Sequence, residues 1–476
     1  MKGLPRRPRR VAQTHAVAEK QNYLAVPYGD ERERGQIVLP HFHFKTDTKS
    51  LRTVIKSKPE NRNVKVQDLT ATSSLARLAV RRDRDMASFR KKRVFKFAIH
   101  MSRSIEMSIS IVLRLACAVA IVVSIIAQRT SVLAQQRGGT AETDKVQPVN
   151  SGPNPYRVIR DWAQLTLEKR PWGGSNGVAI DRDGKSVWAT DRCSPGIAPG
   201  CLGTKANPVH LFDETGKEIR SFGGGMFVWP HGIHVDRDGN VWVTDARVAT
   251  AEERIKFPGE DKKGSVVIKF SPDGKVLMTL GRPGVKGDPP DALTEPNDVI
   301  TDPSNGDVYV AESHTNVEDP NLVGRISVFD RSGKFLRVIG KTGTGPGEFR
   351  TPHAIEFDSQ GRLIVADRHN HRIQILTKEG KYLAEWREFS RVSGLAIDGN
   401  DTIYAADSES EPKRHPGWLK GIRIGTLKDG KVTIFVPPHK TDAPDGAMGE
   451  GIAIDSAGNL FTAEATVRGV TKYVKD

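Results

Sequence analysis

The chain has 476 residues, of which 27% are charged and 37% belong to the hydrophobic set, with 45 Gly and 28 Pro. This composition excludes a collagen, a coiled coil and a polytopic membrane protein. The net charge of +15 is concentrated at one end, because residues 1–100 hold 24 Lys and Arg against 9 Asp and Glu, whereas acids and bases balance in the remainder. The basic excess therefore gives no reason to expect nucleic-acid binding by the rest of the chain.

Residues 1–100 are rich in arginine and show no sustained period of 3.6 or 2 residues. The pattern predicts a disordered basic extension, or residues translated from a start upstream of the natural one. A nucleic-acid or targeting arm is the alternative.

Residues 101–134 have the layout of a secretory signal. Arg103 and Arg114 precede thirteen uncharged residues, Leu115–Ala127, and small residues follow. Because about 20 apolar residues are needed to cross a bilayer, a cleaved signal peptide is favoured over an uncleaved N-terminal anchor. Either segment predicts an exported chain, periplasmic or extracellular.

Two cysteines, Cys193 and Cys201, flank a loop with two Pro and two Gly between them. In an oxidising compartment such a pair predicts a disulfide, and a metal site is the less expected alternative because no second Cys or His pair is near. Residues 135–155 are polar, contain Gly and Pro, and are interpreted as a linker.

Residues 156–476 contain six copies of one unit: a short apolar strand, a turn with Asp and Gly, and a second strand that ends in an acid. HGIHVDRDGNVWVTD and HAIEFDSQGRLIVAD are two examples. Most copies continue with a third strand, a Gly turn and a fourth strand. Six four-stranded antiparallel units predict an all-β, six-bladed β-propeller. The last copy has three strands, so we expect residues 156–165 to supply its outer strand and close the ring.

The first strand of each copy is expected to line the central channel, with its first residue at one mouth. That ring of polar residues comprises Asn176, His231, Asn297, His353, Ser393 and Glu450. His231, His353 and Glu450 come from alternate blades, about 120° apart in a radial fold of six. Two imidazoles and a carboxylate that converge from three directions leave open positions, as in catalytic zinc sites, which predicts a metal site. A water-filled polar channel mouth is the alternative.

The repeats resemble NHL repeats, and specifically the lyase domain of the peptidylglycine α-amidating enzymes. The resemblance covers residues 156–476 and rests on WPHGIHVDRDGNVWVTDA, on TPHAIEFDSQGRLIVADRHNHRIQ, and on Thr190-Asp191-Arg192. It implies zinc bound by His231 and His353, a substrate-binding role for Arg192, and a substrate-contacting Met448. Glu450 replaces the third zinc histidine of the family. Gly451 replaces an aspartate that helps to bind calcium there, so zinc is the expected cofactor and calcium the less expected one.

The resemblance implies a carbon–nitrogen lyase that cleaves a peptidyl-α-hydroxyglycine into an amide and glyoxylate. Arg192 would hold the substrate carboxylate. The family's active-site tyrosine is replaced in its neighbourhood by His314, which would accept the proton or, alternatively, be an exposed loop histidine. Arg368, His369 and His371 are interpreted as an ordinary turn.

Two other functions remain open. A propeller lactone hydrolase also uses an axial metal, held by Glu, Asn and Asp, and a non-catalytic ligand- or protein-binding module needs no metal. The partner expected for the lyase is a small molecule or a peptide C-terminus, with no nucleic acid and with membrane contact only through an N-terminal anchor. We expect the chain to be a monomer.

Overall fold

The architecture is taken from a computed structural model, which describes residues 146–194, 200–314, 319, 322–440 and 446–476. The predicted basic extension and signal or anchor segment lie outside the described residues. Within the described part of the chain, no helix combines the length and the apolar character needed to cross a bilayer.

The described residues form six four-stranded antiparallel sheets, the blades of a propeller. Blade 1 contains β2 (Val178–Ile180), β3 (Val187–Thr190), β4 (Val209–Phe212) and β5 (Glu218–Phe222). Blade 2 contains β6 (Pro230–Val235), β7 (Val241–Asp245), β8 (Val266–Phe270) and β9 (Val276–Leu280). Blade 3 contains β10 (Pro296–Thr301), β11 (Val308–Glu312), β12 (Arg325–Phe329) and β13 (Phe335–Ile339). The prediction of a six-bladed propeller is confirmed.

The remaining blades follow the same order along the chain. Blade 4 contains β14 (Pro352–Phe357), β15 (Leu363–Asp367), β16 (Arg372–Leu376) and β17 (Tyr382–Trp386). Blade 5 contains β18 (Gly394–Ile397), β19 (Thr402–Asp407), β20 (Gly421–Thr426) and β21 (Val432–Val436). Blade 6 contains β22 (Gly451–Ile454), β23 (Leu460–Glu464) and β24 (Gly469–Lys475), with β1 (Tyr156–Ile159) outermost.

The ring closes as predicted, because β1 pairs antiparallel with β24 and joins the two ends of the propeller in one sheet. The strand spans residues 156–159, which is shorter than the strand-like segment 156–165. Part of the predicted linker also contacts the fold, since the buried Arg423 of β20 donates to the carbonyl of Val149 at 2.9 Å and to Oδ1 of Asn150 at 3.1 Å.

Apolar side chains of neighbouring blades pack against one another around the ring. Trp188 and Phe222 of blade 1 share one cluster with Val241, Val243 and Phe270 of blade 2. The innermost strands β2, β6, β10, β14, β18 and β22 each contact the next, and β22 contacts β2. Their starting residues are therefore held around the channel axis at the same mouth.

Within the described residues, two short helical segments lie outside the sheets. The helix α1 (Ala251–Lys256) begins with a capping box between Thr250 and Glu253, and it connects β7 to β8. A 3₁₀ turn, Arg368–Asn370, follows β15 on the mouth side of blade 4.

Candidate metal centre and anion clamp

Four side chains meet on the axis at the mouth of the channel. One ligand atom each from His231, His314, His353 and Glu450 lies within 4.8 Å of the other three. The structure thus brings together the three residues predicted from alternate blades, and it adds His314, which follows β11 of blade 3. His314 is not an exposed loop histidine, because its ring centroid lies 4.9 Å from that of His231 and 5.7 Å from that of His353.

Backbone carbonyls of the next inner strand fix the tautomers of two histidines. Nδ1 of His231 lies 2.8 Å from the carbonyl oxygen of Asn297, and Nδ1 of His353 lies 2.7 Å from that of Ser393. A carbonyl oxygen can only accept, so each Nδ1 carries the proton and each Nε2 presents a lone pair. This bond from the second ring nitrogen is typical of metal-bound histidines.

The Nε2 atoms of His231, His314 and His353 are buried and have no hydrogen-bond partner among the described residues. Burial is the main cause that lowers the pKa of each imidazole, to about 3 for His231 and well below 6.5 for the other two. All three are therefore neutral at neutral pH, which is the form that binds a metal. Buried, unpartnered nitrogen lone pairs beside a carboxylate form a donor set that suits zinc.

Glu450 connects the histidines to a buried arginine. One carboxylate oxygen, Oε2, accepts a hydrogen bond from Nδ2 of Asn176 and lies 3.6 Å from Nε2 of His231. The same oxygen lies 3.9 Å from Nη2 of Arg192. Burial raises the pKa of Glu450, and the guanidinium groups of Arg192 and Arg368 oppose this.

Arg192 is held at the channel mouth by the loop that follows β3. Its guanidinium carbon lies 3.6 Å from the ring centroid of Trp229, a cation–π contact, and its Nε has no partner within the described part of the chain. Asp191 does not pair with it, because that carboxylate binds Arg170 and the backbone amide of Gly173. Burial lowers the pKa of Arg192 to about 10, so the side chain remains charged at neutral pH.

The disulfide between Cys193 and Cys201 is present, which confirms that prediction. It begins at the residue after Arg192, so it ties down the loop that carries the guanidinium. Trp229, the residue just before the Pro-His pair of β6, contacts both Arg192 and His314. No sequence pattern singles out Trp229, although it stands in the WPHG segment.

The other predicted ring residues have structural contacts. The side chain of Asn297 donates to the carbonyl of Ser313, and Oγ of Ser393 lies 2.9 Å from Oγ of Ser408. Met448 is buried in the apolar core between blades 5 and 6, and its sulfur lies 3.8 Å from the hydroxyl of Tyr473. A substrate role for Met448 stays a prediction.

Arg368 belongs to the site, contrary to its interpretation as an ordinary turn residue. It is 3% exposed, and its Nε and Nη1 have no hydrogen-bond partner among the described residues. Its positive charge contributes to the lowered pKa values of His231, His314 and His353. The sequence did not reveal this role, because the motif that contains Arg368 also occurs in ordinary turns that form no binding site.

Comparisons with known proteins agree with the propeller fold. A family model described as "DUF5128: 6-bladed beta-propeller" matches residues 300–387. The NHL repeat-containing protein 3 of Homo sapiens is 30% identical over 309 residues, which cover 60% of this chain and 78% of that protein. The structure and this match define the class as a six-bladed β-propeller built from NHL repeats.

The chain belongs to the NHL-repeat family and resembles its amidating lyases. The peptidyl-alpha-hydroxyglycine alpha-amidating lyase 2 of Drosophila melanogaster is 27% identical over 321 residues, 61% of this chain and 70% of that protein. The peptidyl-glycine alpha-amidating monooxygenase B of Xenopus laevis is 30% identical over 336 residues, 66% of this chain. The match spans only 35% of that monooxygenase.

Proposed function

We propose that the protein is an exported, metal-dependent carbon–nitrogen lyase that cleaves an N-acyl-α-hydroxyglycine into an amide and glyoxylate. The observation that carries the proposal is the axial cluster, in which three neutral imidazoles and Glu450 face one point beside the buried guanidinium of Arg192. The similarity to relatives named as amidating lyases supports the same reaction.

His231, His353 and Glu450, which all stand at the start of inner strands, would hold the metal. Zinc fits this mixed nitrogen and carboxylate donor set better than calcium, which prefers oxygen ligands. When bound, zinc would act as a Lewis acid toward the substrate hydroxyl and lower its pKa.

Arg192 binds the carboxylate of the hydroxyglycine, since its buried guanidinium has an unpartnered Nε and is fixed on the face of Trp229. Binding at this point orients the adjacent α-carbon over the cluster. Trp229 contacts both Arg192 and His314, so its indole would face the bound substrate.

His314 accepts the hydroxyl proton, because its imidazole is neutral and its Nε2 has no partner within the described residues. As the O–H bond breaks, its electron pair forms the carbonyl of glyoxylate, and the C–N bond breaks. The pair from that bond goes to the amide nitrogen, which takes the proton back from His314. Atoms and charge balance, and no further reactant is needed.

The disulfide supports export, because such bonds persist in oxidising compartments. A monomer that acts on a small molecule or a peptide C-terminus fits a site at a channel mouth. Nucleic acid has no part in this reaction, and membrane contact would come only from an N-terminal anchor.

The proposal is tested by elemental analysis of the purified protein beside His231→Ala and His353→Ala, with glyoxylate release from α-hydroxyhippurate as the activity. We expect about one zinc per chain in the wild type and loss of zinc and activity in both variants. His234→Ala is the matched control, since His234 lies on the same strand but outside the cluster, with its Nε2 2.9 Å from Oγ1 of Thr301. It should keep the metal.

Other outcomes of these measurements would favour other functions. Calcium alone, unaffected by the histidine variants, would favour a lactone hydrolase. If the folded protein binds none of the supplied metals, a non-catalytic binding module would be the remaining interpretation. His314→Ala separates two roles: retained zinc without turnover supports the proton acceptor, whereas lost zinc would make His314 a ligand.

A further inference from the structure

A second charged cluster lies at the same mouth as the axial cluster, in the loops of blades 4 and 5. Glu409, which follows β19, interacts with three arginines. Its carboxylate lies 2.8 Å from Nη2 of Arg391, 3.0 Å from Nη1 of Arg414 and 3.6 Å from Nη1 of Arg368. We call these four residues the arginine cluster.

The arginine cluster carries more positive charge than Glu409 neutralises, although Arg414 also pairs with Glu411 at 3.2 Å. Arg368 and Arg391 are each 3% exposed, and buried charges are costly unless they are paired. Nε of both, and Nη1 of Arg368, have no hydrogen-bond partner in the part of the chain that the structure describes. The cluster therefore offers buried donors to an anion that the described residues do not supply.

The pKa shifts agree with this excess. Burial alone would raise the pKa of Glu409, but Arg368, Arg391 and Arg414 lower it below its usual range. Burial and the charge of Arg368 lower the pKa of Arg391. The neighbouring imidazoles add no further positive charge, because burial lowers the pKa values of His369, His371 and His415 and keeps them neutral.

The arginine cluster is continuous with the axial cluster. Arg391 stands two residues before Ser393, whose carbonyl holds Nδ1 of His353. Arg368, a member of the arginine cluster, contributes to the lowered pKa of the axial histidines as well as to that of Glu409, so its charge acts on both clusters. Blade 4 is opposite blade 1 in a ring of six, which puts the arginine cluster across the axis from Arg192.

We propose that Arg391, with Arg368, forms a second anion subsite that recognises a carboxylate at the acyl end of the substrate. This inference rests on the proposed function and narrows it to N-acyl-α-hydroxyglycines whose acyl group is itself acidic. The hydroxyglycine carboxylate binds Arg192. The rest of the substrate extends across the axial cluster and places its second carboxylate at Arg391. Glu409 is a positioning residue that pairs with both guanidinium groups and holds them side by side.

The test compares kcat/KM for α-hydroxyhippurate with that for its analogue with a carboxylate at the para position of the benzoyl ring. The wild type should prefer the carboxylated compound by about tenfold or more, since a charge-assisted bidentate contact is strong. Arg391→Ala should abolish this preference, so that the ratio of the two kcat/KM values falls to about one. Arg391→Lys should restore part of it.

Arg414→Ala is the matched control. Arg414 binds the same carboxylate, but its side chain is 51% exposed, so its removal should leave the preference intact. Zinc content and thermal unfolding of each variant would verify that it is folded. The comparison of the two substrates in the wild type does not depend on any variant.

Failure of the two proposals can be told apart. Turnover of both compounds with equal kcat/KM, or an unchanged preference in a folded Arg391→Ala, overturns the second subsite and leaves the lyase intact. No glyoxylate from either compound in zinc-loaded wild type would instead overturn the proposed function and the subsite with it.

Discussion

His415 is a buried imidazole outside the proposed site, and it links stability to pH. It is 4% exposed, its Nδ1 lies 2.8 Å from Oγ of Ser390, and it stacks on Trp418. Burial first, then the charges of Arg391 and Arg423, lower its pKa from 6.5 to about 3. The folded state therefore keeps His415 neutral at pH values at which the unfolded chain takes up a proton.

The direction of the pH dependence of stability follows from this lowered pKa. The contribution of His415 is fully present above pH 6.5 and decreases as the pH falls below it, by about 1.4 kcal/mol between pH 7.5 and 5.5. In His415→Gln the difference in free energy of unfolding between these pH values should be smaller by that amount. Urea unfolding at both pH values measures it, and an unchanged difference would refute the assignment.

At the residue scale, the sequence predicted positions better than contacts. His231, His353 and Glu450 were found because the repeat assigns each of them to the start of an inner strand. The cluster around Arg391 was not found, since Glu409 and the arginines come from different loops that only the closed ring brings together. Neither periodicity nor spacing encodes such contacts.

The turn that follows an inner strand is stabilised by hydrogen bonds to the carboxylate of an Asp within that turn. In blade 2, Asp236 accepts from the amide of Asn240 at 2.9 Å and from Nε1 of Trp242 at 3.1 Å, and it lies 3.0 Å from Nζ of Lys269. The Asp-Gly pattern predicted these turns, because Gly supplies the positive φ that the corner requires. The bond from the turn to the tryptophan on the next strand could not be predicted from that pattern.

Asp236→Ala should lower the free energy of unfolding by about 2 kcal/mol, because it removes a buried, charge-assisted acceptor and leaves the indole N–H without a partner. Asp238→Ala in the same turn is the matched control, since that side chain is 70% exposed. It should change stability by less than about 0.5 kcal/mol. Equal effects in urea unfolding would contradict a specific role for Asp236.

At the scale of the whole molecule, the ring depends on its N-terminal segment. Removal of residues 1–160 deletes β1 and the residues that bind the buried Arg423. Removal of residues 1–145 leaves both in place. We expect the first truncation to unfold at a clearly lower temperature than the second, and calorimetry of the two proteins measures the difference. Equal melting temperatures would show that closure by β1 does not stabilise the propeller.

Closure in blade 6 also determines when the proposed metal centre can assemble. Synthesis runs from the N-terminus, so β24 leaves the ribosome after all the other described strands, and β1 has no partner until then. Glu450 precedes β22 of the same blade. The proposed ligands therefore cannot surround an ion on a nascent chain. If the chain is exported before it folds, the metal supply of the destination compartment, and not that of the cytosol, selects the ion that the protein acquires.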